Sequence, residues 1–238
     1  MSNLLAISLH DSAVETASGV GPVVDIGAPR SCVRVCLDVT DASGAGASVV
    51  AALESSRTGT GGIWRTFGTV APGADPVTFA FADRFVRTRW TISGSSPSLT
   101  FSLSGEAHTL YATPKDIARL ALPTKATQNI DAAVLADACL AASDEADGAL
   151  SGSFCLPLVA WGTDLRQHVS NIASLAVMRH RGFQPGGPDD LIVKASDDAR
   201  VWLNRISQGR IKPPGIIDST PQIFEGGAIV VSNIRRGW

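Results

Sequence analysis

The chain has 238 residues and a formal charge of −2, with 45% hydrophobic and 18% charged residues. That length holds one large domain or two small ones, each with its own core, and the composition is that of a folded protein rather than a disordered one. The near-neutral charge, with no basic run longer than a pair, argues against a protein that grips nucleic acid by neutralising phosphates.

Met1-Ser2-Asn3 opens the chain without a basic n-region or a long apolar run, so no signal peptide is expected. Nor does any apolar stretch approach the roughly 18 residues of a membrane span. Up to about Gly105 the apolar residues alternate with period two. The sets are Leu5/Ile7/Leu9, Val33/Val35/Leu37/Val39, Val49/Ala51/Leu53, Val77/Phe79/Phe81, Val86/Trp90/Ile92 and Leu99/Phe101/Leu103. Each set places its apolar side chains on one face of a strand. Turn-rich stretches separate them: Ser18–Pro22, Ala42–Gly46, Gly59–Gly62 and Ser93–Pro97. Short strands at this spacing, with no helices between, predict an antiparallel β-sandwich, jelly-roll-like, over residues 1–105.

Cys32 and Cys36 lie four apart in one such strand, about 13 Å at ~3.3 Å per residue, which is too far for a disulfide. With Cys139 and Cys155 they form no metal-binding spacing, so neither a disulfide nor a metal is expected, and synthesis in a reducing cytosol is.

After Gly105 the period becomes helical. Thr113-Pro114-Lys115-Asp116 is a start signal, with Thr as N-cap, Pro at the first helical position and an acid at the third. A long helix is predicted from about Ile130 to Leu150, with apolar stripes Ile130/Val134/Ala138/Ala141 and Leu135/Cys139/Ala142/Ala146 and an acidic stripe Asp137/Asp144/Asp147. A further helix opens at Thr163, presents Leu165, Val169, Ile172, Ala173 and Ala176, and ends near Gly182. The last begins around Asp189, carries Leu191, Ala195, Ala199, Trp202 and Ile206, and stops at Gly209. Residues 110–212 therefore read as a small α-helical bundle, and the fold class as α+β.

From Pro213 to Trp238 the helical pattern is lost. Pro213-Pro214-Gly215 breaks any helix, yet the segment carries Ile216-Ile217, Ile223-Phe224 and Ala228-Ile229-Val230-Val231. Disordered tails lack such residues, and in water they invite aggregation. An extended C-terminal strip over 213–238 that docks on its own domain or on a partner is expected. The residues that would make the contact are Ile216, Ile217, Ile223, Phe224, Ile229, Val230, Val231 and Trp238.

No catalytic signature appears: no GxSxG, GxxxxGK[ST], HExxH, or GxGxxG after a strand. Enzyme activity and a cofactor are not expected. His10, His108, His168 and His180 are scattered, and the last two, on one helix, stand about 18 Å apart. The acidic stripe reads as a solvated helix face or, in a subunit that lines a channel, as a surface that repels passing DNA. Arg84, Arg87 and Arg89 beside Trp90 read either as a solvated sheet face or as a polar contact to a neighbouring subunit or a glycan.

The helical half resembles the phage head-tail connector and adaptor proteins, including the Mu-like group. The resemblance rests on Tyr111-Ala-Thr113-Pro114-Lys-Asp116-Ile117, the Asp137–Leu150 run, Leu156-Pro157-Leu158, the Asp164–Met178 helix and Asp198-Ala-Arg-Val-Trp202 to Gly209, over about residues 110–212. It implies a structural virion protein of the connector or neck, an adaptor ring of twelve subunits between portal and tail, with DNA passing through the lumen without sequence-specific binding. The implied partners are the portal protein, a tail or stopper protein, and further copies of the chain, with the C-terminal strip reaching the portal. The family's simple pattern lacks an N-terminal β-domain such as this one. Its presence keeps open an alternative, a carbohydrate- or surface-binding virion accessory protein acting through the β-sandwich, although that half offers only Trp64 and Trp90 as aromatic platforms beside five core-like Phe.

Overall fold

The computed structural model describes residues 4–27, 30–59, 61–73, 75–182, 186–187 and 189–219. The first 108 residues supply β1 (Leu5–Glu15), β2 (Gly19–Val20), β3 (Val24–Asp25), β4 (Cys32–Ser56), β5 (Arg65–Val70), β6 (Val77–Phe79) and β7 (Phe85–His108). They form one seven-stranded antiparallel sheet in the order β1-β7-β4-β5, with β2 and β3 added along β7 and β6 along β4.

Two of these strands are far longer than the alternating sets predict. Val33–Val39 and Val49–Leu53 are two halves of β4; Val86–Ile92 and Leu99–Leu103 are two halves of β7. β4 and β7 pair from Cys32↔His108 to Ser56↔Phe85. The stretches Ala42–Gly46 and Ser93–Pro97, expected as turns, face each other at mid-ribbon, where the register shifts between Val39 and Asp41 and twice more before Ser48. Such bulges bend a strand. The bend is sharp: the rings of Trp90 and Phe101, eleven residues apart on β7, meet edge to face with centroids 5.7 Å apart, whereas a straight strand would separate them by about 36 Å. The N-terminal segment cuts the corner, pairing Glu15 with Leu99 and then Gly19 with Trp90.

The corner requires glycine. Gly94 has φ +125°, and a Cβ there would lie 2.9 Å from the Ala47 Cα. Folding the ribbon over lets one sheet enclose its own core of Leu9, Val35, Leu37, Leu53, Val86 and Leu103, with the His10 ring wedged 4.5 Å from both Trp90 and Phe101. The expected pair of separate sheets, sandwich or jelly-roll, is thus replaced by one hydrogen-bonded sheet bent back on itself.

The helical part follows its start and stop residues closely. α1 (Pro114–Asp116) opens with a capping box between Thr113 and Asp116 and runs into a π-helical turn, Ile117–Ala121. α2 (Thr124–Thr127), α3 (Ala132–Leu150), α4 (Thr163–Arg181) and α5 (Asp189–Ser207) follow. α3 begins after Ile130 because the Asp131 side chain accepts from the Ala133 N–H at 2.9 Å and caps the helix. α4 packs against both α3 and α5. Cys139, Ala142 and Ala146 of α3, Val169 and Ala173 of α4, and Ala199 and Leu203 of α5 fill the core between them. Ala141, Ala176 and Leu191, expected on the packed faces, are exposed.

No loose linker joins the two parts. Leu110, Tyr111 and Ala112 are buried, and Cys32 and Ala80 of the sheet part belong to the same core as α3 to α5. All four cysteines remain thiols. Burial pushes the Cys32 thiol up to about 12, helped by Asp137 and Asp144, so it stays protonated.

Candidate interaction surfaces

Asp137, Asp144 and Asp147 line the seam between α3 and the sheet. Asp137 accepts from the Thr78 hydroxyl of β6. Asp144 stands 3.8 Å from the Nδ1 of His108, the last residue of β7. Asp147 accepts from the Tyr111 hydroxyl. Burial of His108 opposes its charge, but Asp144 and, at 3.3 Å, Glu106 outweigh that and raise its pKa. Burial and the Asp147 charge both push the Tyr111 phenol up, which keeps it a donor. The stripe was legible as a stripe. Its partners Thr78, His108 and Tyr111 lie 59, 36 and 36 residues away and gave no local signal.

The C-terminal strip leaves from a fixed point. Ile216 packs on the helical core. Ile217 bridges antiparallel to Ala160: its N–H donates to Ala160 O at 2.9 Å and its carbonyl accepts from the Val159 N–H at 2.8 Å. Asp218 accepts from the Cys155 N–H at 3.1 Å, and the Ser219 N–H donates to Cys155 O at 3.2 Å. A Cβ on Gly162 would meet Pro214 O at 2.7 Å, so the approach of the strip depends on that glycine. Val159 and Ile217 therefore lie side by side, each 57% exposed. Ile223, Phe224, Ile229, Val230, Val231 and Trp238 lie outside the described residues.

In the sheet, Trp90 is 6% exposed and its indole donates to Ala17 O at 3.1 Å. The Arg87 guanidinium covers Trp64 with its carbon 4.0 Å from the ring centroid. Arg87 and Arg89 both pair with Glu54, at 2.7 and 2.8 Å, and Arg84 pairs with Asp25 at 2.7 Å. Burial alone would raise the Glu54 carboxyl, but the two arginines outweigh it and hold it below its usual range. The three arginines, read from the sequence either as a solvated sheet face or as a polar contact, thus pair with acids of their own protomer, and Arg87 lies over one face of Trp64 while Trp90 is buried. His168 stacks on Trp202 at 4.1 Å.

One surface went unread in the sequence. Phe67 of β5, Val77 and Phe79 of β6, Phe81, Pro114 and Leu135 of α3 line an apolar cleft of about 390 Å³. Phe81 is 52% exposed. The alternation Val77/Phe79/Phe81 was visible, but that it faces the first turn of α3 depends on how the two parts dock.

The similarity to known proteins falls on the helical part. The architecture is α+β. The chain belongs to the bacteriophage Mu, Gp36 family, whose model matches residues 109–228, about half of the chain. The match opens at Thr109, directly after β7, and runs through all the helices and past Ser219 into the apolar strip. No curated protein matches the chain.

Proposed function

We propose that this protein is a structural virion subunit of the connector, an adaptor ring between portal and tail. The observation that carries the reading is the extent of the family match: it takes in the helical unit together with the anchored start of the C-terminal strip and its Ile223-Phe224 pair, and leaves the sheet outside. In this reading the helical unit is a rigid mount. The strip runs from its anchor on Cys155 and Ala160 to a partner, where β-branched Ile229, Val230 and Val231 add a strand to a sheet edge of the portal.

Copies of the chain form the ring, about twelve by resemblance, with the portal on one side and a tail or stopper protein on the other. DNA passes the lumen without sequence-specific contact. All three acids serve the seam with the sheet; the channel-facing role proposed for the stripe is kept for Asp144, whose side chain is 53% exposed although it pairs with His108. The alternative, carbohydrate or surface binding through the sheet, gains nothing from the tryptophans, since Trp90 is buried and one face of Trp64 lies under Arg87.

Deleting residues 220–238 is the test. The truncated protein keeps its thermal transition, because every described contact of the strip lies before residue 220. It loses joining to purified portal in negative-stain images. Portals decorated at normal stoichiometry by the truncated protein would refute the assignment of the strip.

A further inference from the structure

The strip and the phenylalanine cleft stand at opposite ends of α3. Ser219 is tied to Cys155, just beyond the C-terminal end, where the Ser153 and Phe154 N–H groups both donate to Leu150 O. The cleft lies on the first turn, against Ala132, Ala133 and Leu135. Between Ala133 and Leu150 the helix rises about 25 Å at ~1.5 Å per residue. Five residues from Ser219 to Phe224 span at most about 18 Å of backbone. The strip thus leaves its anchor at the far end of α3 from its own cleft, and only a chain stretched back along the helix would bring Phe224 to it.

Resting on the adaptor reading, we infer that Ile223 and Phe224 of each copy fill the cleft of the next copy, so that the ring is closed by its own C-terminal strips, one after another. The cleft has the chemistry for such an occupant. Phe67 and Phe79 already pack edge to face with centroids 5.8 Å apart, and an added aromatic ring extends that packing. Phe79 lies over Gly68, where a Cβ would sit 2.2 Å from its Cε1, so the floor of the cleft is built around a missing side chain. The Lys115 ammonium, 5.7 Å from the Phe81 centroid, is opposite in charge to Glu225, which follows Phe224 directly, while Asp131 in the lining sets the side from which Glu225 is repelled. Donor and acceptor are different patches at opposite ends of one protomer, the head-to-tail arrangement that generates rings. The residues beyond Glu225 stay available to the portal.

The test places the photoreactive residue p-benzoyl-phenylalanine at position 224 in the full-length chain. Isotopically heavy and light preparations are mixed at high concentration, irradiated and mapped by mass spectrometry. The inference requires heavy–light cross-links to residues 77–81 or 131–135. It also requires Phe81→Asp, at an exposed position, to cut their yield about tenfold or more while the thermal transition is unchanged. Lys115→Glu lowers the yield, and Glu225→Lys in the same chain restores it. Cross-links confined to one copy, cross-links elsewhere, or none at all would overturn the inference. Rings seen on the portal without the cross-link sink the inference but not the adaptor reading. A heavy–light cross-link in a protein that never decorates the portal does the reverse.

Discussion

His108 closes β7 with its Nδ1 3.8 Å from the Asp144 carboxylate of α3 and its Nε2 3.3 Å from Glu106. A histidine at 4% exposure between two acids joins sheet to helix by charge, and it makes that joint sensitive to pH.

The folded pKa of His108 is raised. Its contribution to stability is therefore fully present below the ordinary histidine value of about 6.5 and is lost as pH rises through the folded value. His168 is shifted the other way, lowered chiefly by burial, so its contribution is present above that value and fades as pH falls. The two oppose each other in the wild type. Melting temperatures from pH 5.5 to 8.5 are expected to show His108→Gln losing most relative to wild type at the acid end and converging with it at the alkaline end. A constant difference across that range would exclude a charged His108.

Tyr111→Phe removes the donor to Asp147 but keeps the edge-to-face contact with Trp161, at 5.1 Å between centroids. The expected loss is about 1–2 kcal/mol in urea unfolding. The Tyr111→Phe/Asp147→Asn double variant is expected to lose less than the sum of the two single losses, since one hydrogen bond is common to both.

At the ribbon corner, Gly94→Ala meets both a φ of +125° and the Ala47 backbone at 2.9 Å. Gly46→Ala, with φ +68° and open space around it, meets only the conformational cost. Gly46→Ala is expected to lose about 1 kcal/mol and Gly94→Ala clearly more, about 2–4 kcal/mol once the clash is added. Equal losses in denaturant titrations would mean that the corner is not a tight backbone contact.

Glu54→Gln leaves Arg87, at 18% side-chain exposure, without its counter-charge. Because Arg89 is half exposed and screened, the loss falls below the roughly 3–5 kcal/mol of a fully buried broken pair. It is greatest at neutral pH. It shrinks in acid, where the wild-type carboxylate is itself protonated as pH falls through its lowered pKa. Paired unfolding curves at pH 7 and pH 3 check the sign.

The helices were legible because their signals are local. Thr113-Pro114 with Asp116, Gly182 and Gly209 act within a turn of where they stand: α1 begins at the first, α4 ends beside Gly182 and α5 ends two residues before Gly209. The start of the apolar strip was equally plain from Pro213-Pro214-Gly215 and the isoleucines after it. In the sheet, alternation identified which residues are buried, and Val35, Leu37, Leu53 and Leu103 are.

Alternation carries no information about whether Gly44 and Gly94 end a strand or fold it. Either outcome satisfies the same period of two, and only the pairing of β4 with β7 on both sides of the corner selects the fold. The same holds for the seam and the cleft. The sequence placed Asp137, Asp144 and Asp147 on one helical stripe, because spacing along a helix is fixed by its own hydrogen bonds. It could not aim that stripe at Thr78, His108 and Tyr111, or bring Phe79 and Phe81 opposite Leu135. Contacts between residues distant in the chain are decided by how two finished surfaces pack, and no periodicity within either surface encodes that.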